Sequence, residues 1–116
     1  MDKQTHAKMD WARLIDDCRF GLEDYHKPRT VGVGRTDFRR DYDRLVFSSP
    51  FRRLQNKTQV FPLPGSVFVH NRLTHSLEVS SVGRSMADEI AAALVHRHGP
   101  MDGIFADLGD VVAAAC

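Results

Sequence analysis

Arg72 and His75 are the two residues of this sequence whose types and spacing most suggest chemistry. They stand three positions apart at the start of a long helical pattern, so a helix would place both side chains on one face. A guanidinium stays charged and needs an anion beside it when it is enclosed, and an imidazole can bind a metal ion. The pair therefore suggests a pocket for a phosphate and a metal. A hydrogen-bonded core histidine beside an arginine–carboxylate pair explains this helix equally well.

The helix that would position this pair is predicted to begin near Asn71, a good capping residue, and to end before Gly99-Pro100. It would be roughly 40 Å long. Small residues at Ser80, Gly83 and Ala87 would let a neighbouring helix come close. At about 100° per residue, one stripe of the helix should be buried, and the side chains of Arg72 and His75 should point toward a cavity. The stripe consists of Arg72, His75, Val79, Val82, Met86, Ile90 and Ala93.

Basic residues are concentrated in residues 27–57, which hold nine Lys or Arg against three Asp and so carry +6, although the whole chain carries only +1. Such a concentration favours a surface or cleft for a polyanion. The alternative is a solvated helix face whose arginines pair with nearby carboxylates, for example Arg39 and Arg40 with Asp43. Arg52 and Arg53 have no acidic neighbour within one turn, so we expect them to be the better candidates for phosphate or allosteric contacts.

Four blocks of sequence occur in order with short spacers, at residues 40–45 (RDYDRL), 48–55 (SSPFRRLQ), 57–61 (KTQVF) and 71–79 (NRLTHSLEV). Together they resemble the opening of the deoxyguanosine triphosphate triphosphohydrolases, which belong to the HD-domain superfamily of metal phosphohydrolases. The resemblance covers about residues 35 to 95. Each block alone would be weak, and four in register are specific.

The resemblance implies hydrolysis of a deoxynucleoside triphosphate such as dGTP, which would release the nucleoside and triphosphate. It implies that His75 is a ligand of a divalent metal (Mg, Mn or similar), that Arg72 contacts the phosphates, and that Gln59 and Val60 contact the nucleotide. It also implies a homo-oligomer. The remaining metal ligands in such proteins are an adjacent His-Asp pair and a distant aspartate, and none of the six histidines of this sequence is followed by Asp.

The expected fold is mainly α and corresponds to the N-terminal part of an HD-domain helical fold. Residues 1–35 would form a helix-and-loop arm, residues 36–116 a portion of the HD domain truncated before the His-Asp pair, and residues 58–61 with 67–69 a small β-hairpin. We expect an N-terminal fragment that by itself is inactive, binds no metal, is marginally stable and exposes apolar surface. A natural short relative without the chemistry is the alternative.

Cys18 and Cys116 share no metal-type spacing and are expected to be free thiols of a reducing compartment. The sequence contains no apolar leader and no membrane-length segment, so a cytoplasmic protein without a membrane partner is expected. Two further functions stay open: a nucleic-acid-binding module on the arginine-rich region, and a non-catalytic assembly segment. The first is disfavoured because the phenylalanines of this region, Phe38, Phe47, Phe51 and Phe61, are predicted to be core residues rather than exposed stacking platforms.

Overall fold

The computed structural model describes residues 9–25, 35–57 and 71–116, and the regular elements in these ranges are helical. The α-helices are α1 (Trp11–Leu14), α2 (Asp37–Phe47), α3 (Ser49–Arg52), α4 (Arg72–His98) and α5 (Leu108–Ala115). Short 3-10 helices cover Glu23–Tyr25, Arg53–Asn56 and Met101–Asp107. The predicted mainly α class is therefore confirmed. The predicted hairpin lies outside the described residues.

The helix starts follow from side-chain caps. Asn71 accepts from the Thr74 amide at 2.9 Å and donates its own amide to the Thr74 hydroxyl at 3.2 Å, which forms a capping box at the start of α4. Thr36 caps α2 by accepting from the amide of Arg39 at 3.2 Å. The start of α4 agrees with the prediction made above, and the sequence Thr36-Asp37-Phe38 likewise predicts a helix capped by Thr36. For α3 the pair Ser49-Pro50 predicts a cap at Ser49, because Pro is favoured in the first turn, and the structure places the cap one residue earlier, at Ser48.

The chain reverses direction between α4 and α5. Gly99 ends α4 with φ +84°, and Gly103 follows with φ +75° in the next turn. This left-handed region is open to glycine without steric cost, which accounts for both glycines. Met101 and Asp102 also have positive φ, so the reversal is a short and constrained segment. As a result, α5 packs back along α4.

The core is small and lies where the ends of α1, α4 and the reversal meet. Phe105 is fully buried, and Ile15 and Ala91 are buried beside it. The ring of Trp11 stands edge-on to the ring of Phe105, with 5.4 Å between the ring centroids. Partly buried apolar residues from α2, α4, the 3-10 helix Met101–Asp107 and α5 complete the shell: Phe38, Leu94, Met101, Ile104, Leu108 and Val111. This core holds the N-terminal segment, α2, α4 and α5 together.

The interface between α4 and α5 is built from small residues, as predicted. The buried hydroxyl of Ser80 donates to the carbonyl of Ala113 at 2.6 Å. A Cβ at Gly83 would lie 3.1 Å from Cys116 Sγ and 3.2 Å from Val112 Cγ1, so the absence of a side chain lets the helices approach. Ala87 completes this buried face of α4.

The face of α4 that was expected to be buried is exposed. Arg72, His75 and Ala93 are exposed, as are the apolar side chains between them, including Val82 at 60% and Met86 at 60%. The prediction of an inward-facing stripe is therefore wrong for this chain. The reason is that α5 packs on the small-residue face, about a quarter turn around the helix. The separate expectation of exposed apolar surface is confirmed.

Candidate functional site

Arg72 and His75 lie in the first turn of α4, and both side chains are exposed. The capping box at Asn71 fixes where the helix starts, and the amide of His75 donates to the Asn71 carbonyl at 3.1 Å. One helical turn therefore presents a guanidinium and an imidazole side by side on one surface.

A backbone hydrogen bond brings the preceding basic segment to the start of α4. The amide of Arg72 donates to the carbonyl of Lys57 at 2.9 Å. Lys57 follows the 3-10 helix Arg53–Asn56, which packs against α4. Positive charge from both segments is thus placed near the first turn of α4, where the helix dipole also favours an anion. The predicted nucleotide contacts Gln59 and Val60 lie outside the described residues.

Arg52 and Arg53 are exposed at the junction of α3 and the following 3-10 helix. Among the residues that the structure describes, neither has an ion-pair partner. The Arg52 guanidinium lies 5.9 Å from the centroid of the Phe47 ring. Phe47 is 67% exposed, so its predicted place in the core is wrong. It projects at the end of α2, where the described chain has no element to cover it.

The other arginines of the basic segment that the structure describes, at positions 35, 39, 40 and 44, are paired with carboxylates, which supports the reading of a solvated helix face for α2. Arg44 reaches Asp41 at 3.3 Å and Arg40 reaches Asp37 at 3.4 Å. Asp43 pairs with Arg35. Arg39 and Arg40 were predicted to pair with Asp43, but they pair instead with Asp110 and Asp37, respectively. Only part of the local excess of positive charge is therefore available to a ligand.

A charged cluster that no sequence pattern predicts joins α2, α4 and α5. Asp110 in α5 accepts from Arg84 of α4 at 2.5 Å and from Arg39 of α2 at 3.3 Å. Both guanidinium groups also lie over the Tyr42 ring, with the central carbon 5.5 Å from the ring centroid for Arg39 and 5.6 Å for Arg84. Nη2 of Arg84 is buried without a hydrogen-bond partner. No local spacing signals this cluster, because its members are far apart in sequence.

We expect Asp110→Asn to lower the free energy of unfolding by about 1–3 kcal/mol, because a part-buried Arg84 would lose its counterion. The matched change Asp41→Asn removes the ion pairs with Arg19 and Arg44, which are more exposed than the pairs of Asp110. It should lower the free energy of unfolding by less than about 1 kcal/mol. Urea denaturation followed by circular dichroism measures both. Equal effects of the two substitutions would contradict a special role for the cluster.

The described residues offer neither a complete metal site nor an activated thiol. In residues 9–25, 35–57 and 71–116, no three His, Cys, Asp or Glu side chains are grouped so that they could hold a metal ion. His75 can thus be one ligand, and others would have to come from elsewhere. Partial burial, together with the carboxylates of Asp16, Glu23 and Asp17, raises the pKa of the Cys18 thiol, which makes it a poor nucleophile at neutral pH. Both cysteines are free, as predicted.

None of the helices in the described part of the chain combines the length and hydropathy needed to cross a membrane.

Comparison with known proteins gives a consistent set of relatives. The chain is 44% identical over 108 residues to a deoxyguanosinetriphosphate triphosphohydrolase-like protein of Synechocystis sp.. It is 41% identical over 108 residues to a protein of the same name from Pseudomonas aeruginosa, and 45% identical over 82 residues to one from Listeria monocytogenes. No protein-family model matches the chain.

These matches cover most of this chain but only a small part of each relative. The first two alignments cover 93% of this chain but 24% of each relative, and the Listeria alignment covers 71% of this chain and 17% of the relative. The chain therefore spans about a quarter of the length of these relatives. Because 108 of 116 residues are aligned with the first relative, the aligned span includes Arg72 and His75.

Proposed function

Because the chain belongs to the deoxyguanosinetriphosphate triphosphohydrolase-like proteins, we propose that it supplies one part of a metal-dependent phosphohydrolase acting on deoxynucleoside triphosphates. The substrate we assign is dGTP, and the products are deoxyguanosine and triphosphate. The observation that carries this proposal is the 44% identity over 93% of the chain. Residues 36–116 would be a portion of an HD-type helical domain, and residues 1–35 an arm beside it.

In this proposal each candidate residue has a role suited to its chemistry. His75 is one ligand of a divalent metal, and Arg72 neutralises phosphate oxygens through its planar guanidinium. Gln59 and Val60 contact the sugar and base. The exposed imidazole of His75 at the start of α4 is free of competing helix packing, so it fits a ligand role. A bound metal would supply Lewis-acid activation at the phosphate.

Arg72 has a second advantage as a phosphate ligand. It lies in the first turn of α4, where backbone amides are not all used by the helix and the dipole is positive. The side chain is exposed and has no ion pair among the described residues. A triphosphate bound there would therefore not have to displace a protein carboxylate from the guanidinium.

The proposal is tested in a chimaera in which this chain replaces the matched quarter of the Synechocystis relative. The purified chimaera should convert dGTP to equimolar deoxyguanosine and triphosphate in the presence of Mg²⁺ or Mn²⁺, as measured by anion-exchange chromatography. The parent relative serves as the control for folding and activity. A folded chimaera that releases only orthophosphate, or nothing, while the parent is active would show that the assignment is wrong.

The 116-residue chain by itself is predicted to bind no metal and to have no hydrolase activity, because one histidine does not hold a divalent ion with useful affinity. Elemental analysis of the purified chain after incubation with Mn²⁺ and gel filtration measures this directly. A stoichiometric ion retained by the chain would contradict the prediction.

A second candidate function is binding of single-stranded nucleic acid. It is favoured by the exposed Phe47 next to Arg52 and Arg53, which have no ion-pair partner in the part of the chain that the structure describes. An exposed ring can stack with a base while the arginines contact phosphates. The exposure of Phe47 removes part of the earlier argument against this function. It stays second because most arginines of α2 are already paired with carboxylates.

For this second function, oligonucleotide affinity should fall steeply with salt. Replacing Arg52 and Arg53 together with alanine should reduce the slope of log K against log salt by about 1.4, because each phosphate contact to a single strand contributes about 0.7. Fluorescence anisotropy with a labelled dT oligonucleotide measures the slope. The matched control is the paired residue Arg40 changed to alanine, which should alter the slope less. No binding at low salt would eliminate this candidate.

A further inference from the structure

Helix α5 runs antiparallel to α4, so its C-terminal end leads toward the turn that carries Arg72 and His75. Contacts between the two helices pair rising residue numbers of α5 with falling numbers of α4: Gly109 with Asp88, Val112 with Gly83, and Ala113 with Ser80. His75 precedes Ser80 by five residues, about 7.5 Å along the helix axis. A shift of α5 along α4 therefore moves the segment that follows α5 by the same distance relative to His75.

The small residues of this interface do little to fix how far along α4 the helix α5 lies. They are Gly83 and Ala87 of α4, with Gly109 and Ala113 of α5. Helices fix their relative positions by fitting ridges of side chains into grooves, and glycine and alanine form shallow ridges. The bond from Ser80 to the Ala113 carbonyl adds little, because a helix offers an equivalent carbonyl at every residue.

The charged cluster supplies the specific contact that the small residues lack. Oδ1 of Asp110 accepts from Nη1 of Arg84 at 2.5 Å and from Nη1 of Arg39 at 3.3 Å. A slip of α5 by one residue would move this carboxylate by about 1.5 Å and turn it by about 100°. It would then miss guanidinium groups that are held on two other helices. One register of α5 therefore satisfies both contacts.

The cluster carries a cost that a purely stabilising contact would avoid. Two guanidinium groups share one carboxylate oxygen, and Nη2 of Arg84 is buried without a hydrogen-bond partner. A buried donor without an acceptor is destabilising, and apolar side chains of similar size are often at least as stable as a buried ion pair. The best-attested benefit of such a polar group is to fix the register of packed helices.

We propose that Arg84, Asp110 and Arg39 are positioning residues that hold α5 in one register on α4 and thereby set the position of the following segment relative to His75. The inference rests on the proposed function, in which His75 binds a metal ion and that segment contributes further ligands. Metal–ligand distances are held within about 0.2 Å, far less than the ~1.5 Å of a one-residue slip. Arg84 stands nine residues from His75, about 14 Å along α4, so the cluster acts through the helices and not by contact.

A disulfide reports the register of α5 without reference to metal or substrate. A Cβ at Gly83 would lie 3.1 Å from Cys116 Sγ and 4.0 Å from Cys116 Cβ, which is within the usual Cβ–Cβ range of disulfides. In the 116-residue chain with Cys18→Ser, Gly83→Cys should therefore form a disulfide with Cys116 in a glutathione buffer. Adding Arg84→Met and Asp110→Leu, which replace the ion pair by apolar side chains, should lower the effective concentration of the two thiols at least about tenfold. Mass spectrometry of the alkylated chain measures the oxidised fraction.

The same two substitutions test the positioning role in the chimaera with the Synechocystis relative. Arg84→Met/Asp110→Leu should weaken Mn²⁺ binding by about 10–100-fold, the usual cost of losing support around a metal ligand, and should leave the melting temperature within about 5 °C. Arg84→Lys keeps a cation for the Asp110 oxygen that the pair uses, so its Mn²⁺ affinity should stay within about threefold of the unsubstituted chimaera. Isothermal titration calorimetry measures the affinities.

Phe105→Leu is the control for stability alone, because Phe105 contacts His98 at the opposite end of α4 from His75. It should lower the melting temperature and leave the Mn²⁺ affinity within about threefold, since the two positions are far apart. Where Arg84→Met/Asp110→Leu does not fold, Asp110→Glu takes its place. This variant keeps the charge but lengthens the side chain by one methylene, so it should weaken Mn²⁺ binding and disulfide formation in the same direction.

Unchanged disulfide formation in the chain, or unchanged Mn²⁺ affinity in the chimaera, would overturn the proposal. So would Mn²⁺ affinities of Phe105→Leu and Arg84→Met/Asp110→Leu that fall together with their melting temperatures, since affinity would then follow stability alone. Reduced disulfide formation in the chain, with an unsubstituted chimaera that binds no Mn²⁺, would support the fixed register and reject the proposed function.

Discussion

Replacing Phe105 with alanine should lower the free energy of unfolding of this chain by about 3–5 kcal/mol, the usual cost of removing a buried phenyl ring. Phe105 is the largest side chain that is fully buried among the described residues. It contacts the rings of Trp11 and His98 and thereby joins the N-terminal segment, the end of α4 and the reversal before α5. A loss of this size is a large share of the stability of a small domain, so the melting temperature should fall by at least about 10 °C.

Phe20 provides a matched control, because it has the same side chain and is fully exposed. Phe20→Ala should change the free energy of unfolding by no more than about 0.5 kcal/mol. Thermal and urea denaturation of both variants, followed by far-ultraviolet circular dichroism, gives the comparison. If the two substitutions had equal effects, the small core around Phe105 would not be what holds the chain together.

Local signals in the sequence were sufficient to place the helices. Thr36 and Asn71 each cap a helix at the predicted position, and Gly99-Pro100 ends α4 as predicted. These features depend on side chains that bond to backbone groups within one turn, so no knowledge of the tertiary structure is needed. The cap of α3 was misplaced by one residue because Ser48 and Ser49 are chemically equivalent candidates.

The face of α4 that packs could not be predicted in the same way. Apolar periodicity favoured the stripe through Val82 and Met86, whereas the structure buries the face with Ser80, Ala87 and Ala91. A helix with apolar residues on one side and small residues on another can use both faces, and hydrophobicity alone does not say which neighbour covers which. Here the small residues accept α5, because Gly83 leaves room for Val112 and Cys116. The larger apolar residues stay uncovered.

Ion pairs between residues that are far apart in the sequence could not be predicted from helical spacing either. Spacing within α2 suggested that Arg39 pairs with Asp43, but Arg39 reaches Asp110, 71 residues away. Such a partner is set by the packing of α2 on α5 and not by helical periodicity. Arg52 and Arg53, by contrast, were predicted to lack a carboxylate partner and have none among the described residues, because an absence of nearby carboxylates can be seen in the sequence itself.

Changing His75 to alanine in the chimaera should lower kcat for dGTP hydrolysis by at least about a hundredfold. Loss of an outer partner of a metal ligand already costs about 10–100-fold, and His75 is proposed to be a ligand itself. His96→Ala is the matched control, because His96 is an exposed histidine of the same helix that lies off the stripe. That variant should retain the activity and metal content of the chimaera.

The measurement that separates the roles of His75 and Arg72 is metal content together with kinetics. His75→Ala should lose the bound metal, whereas Arg72→Ala should keep the metal and raise KM, because the guanidinium is proposed to bind phosphate. Both side chains are exposed in this chain, so neither substitution removes packing that would unfold it. A His75→Ala chimaera with full metal content and full activity would contradict the ligand role.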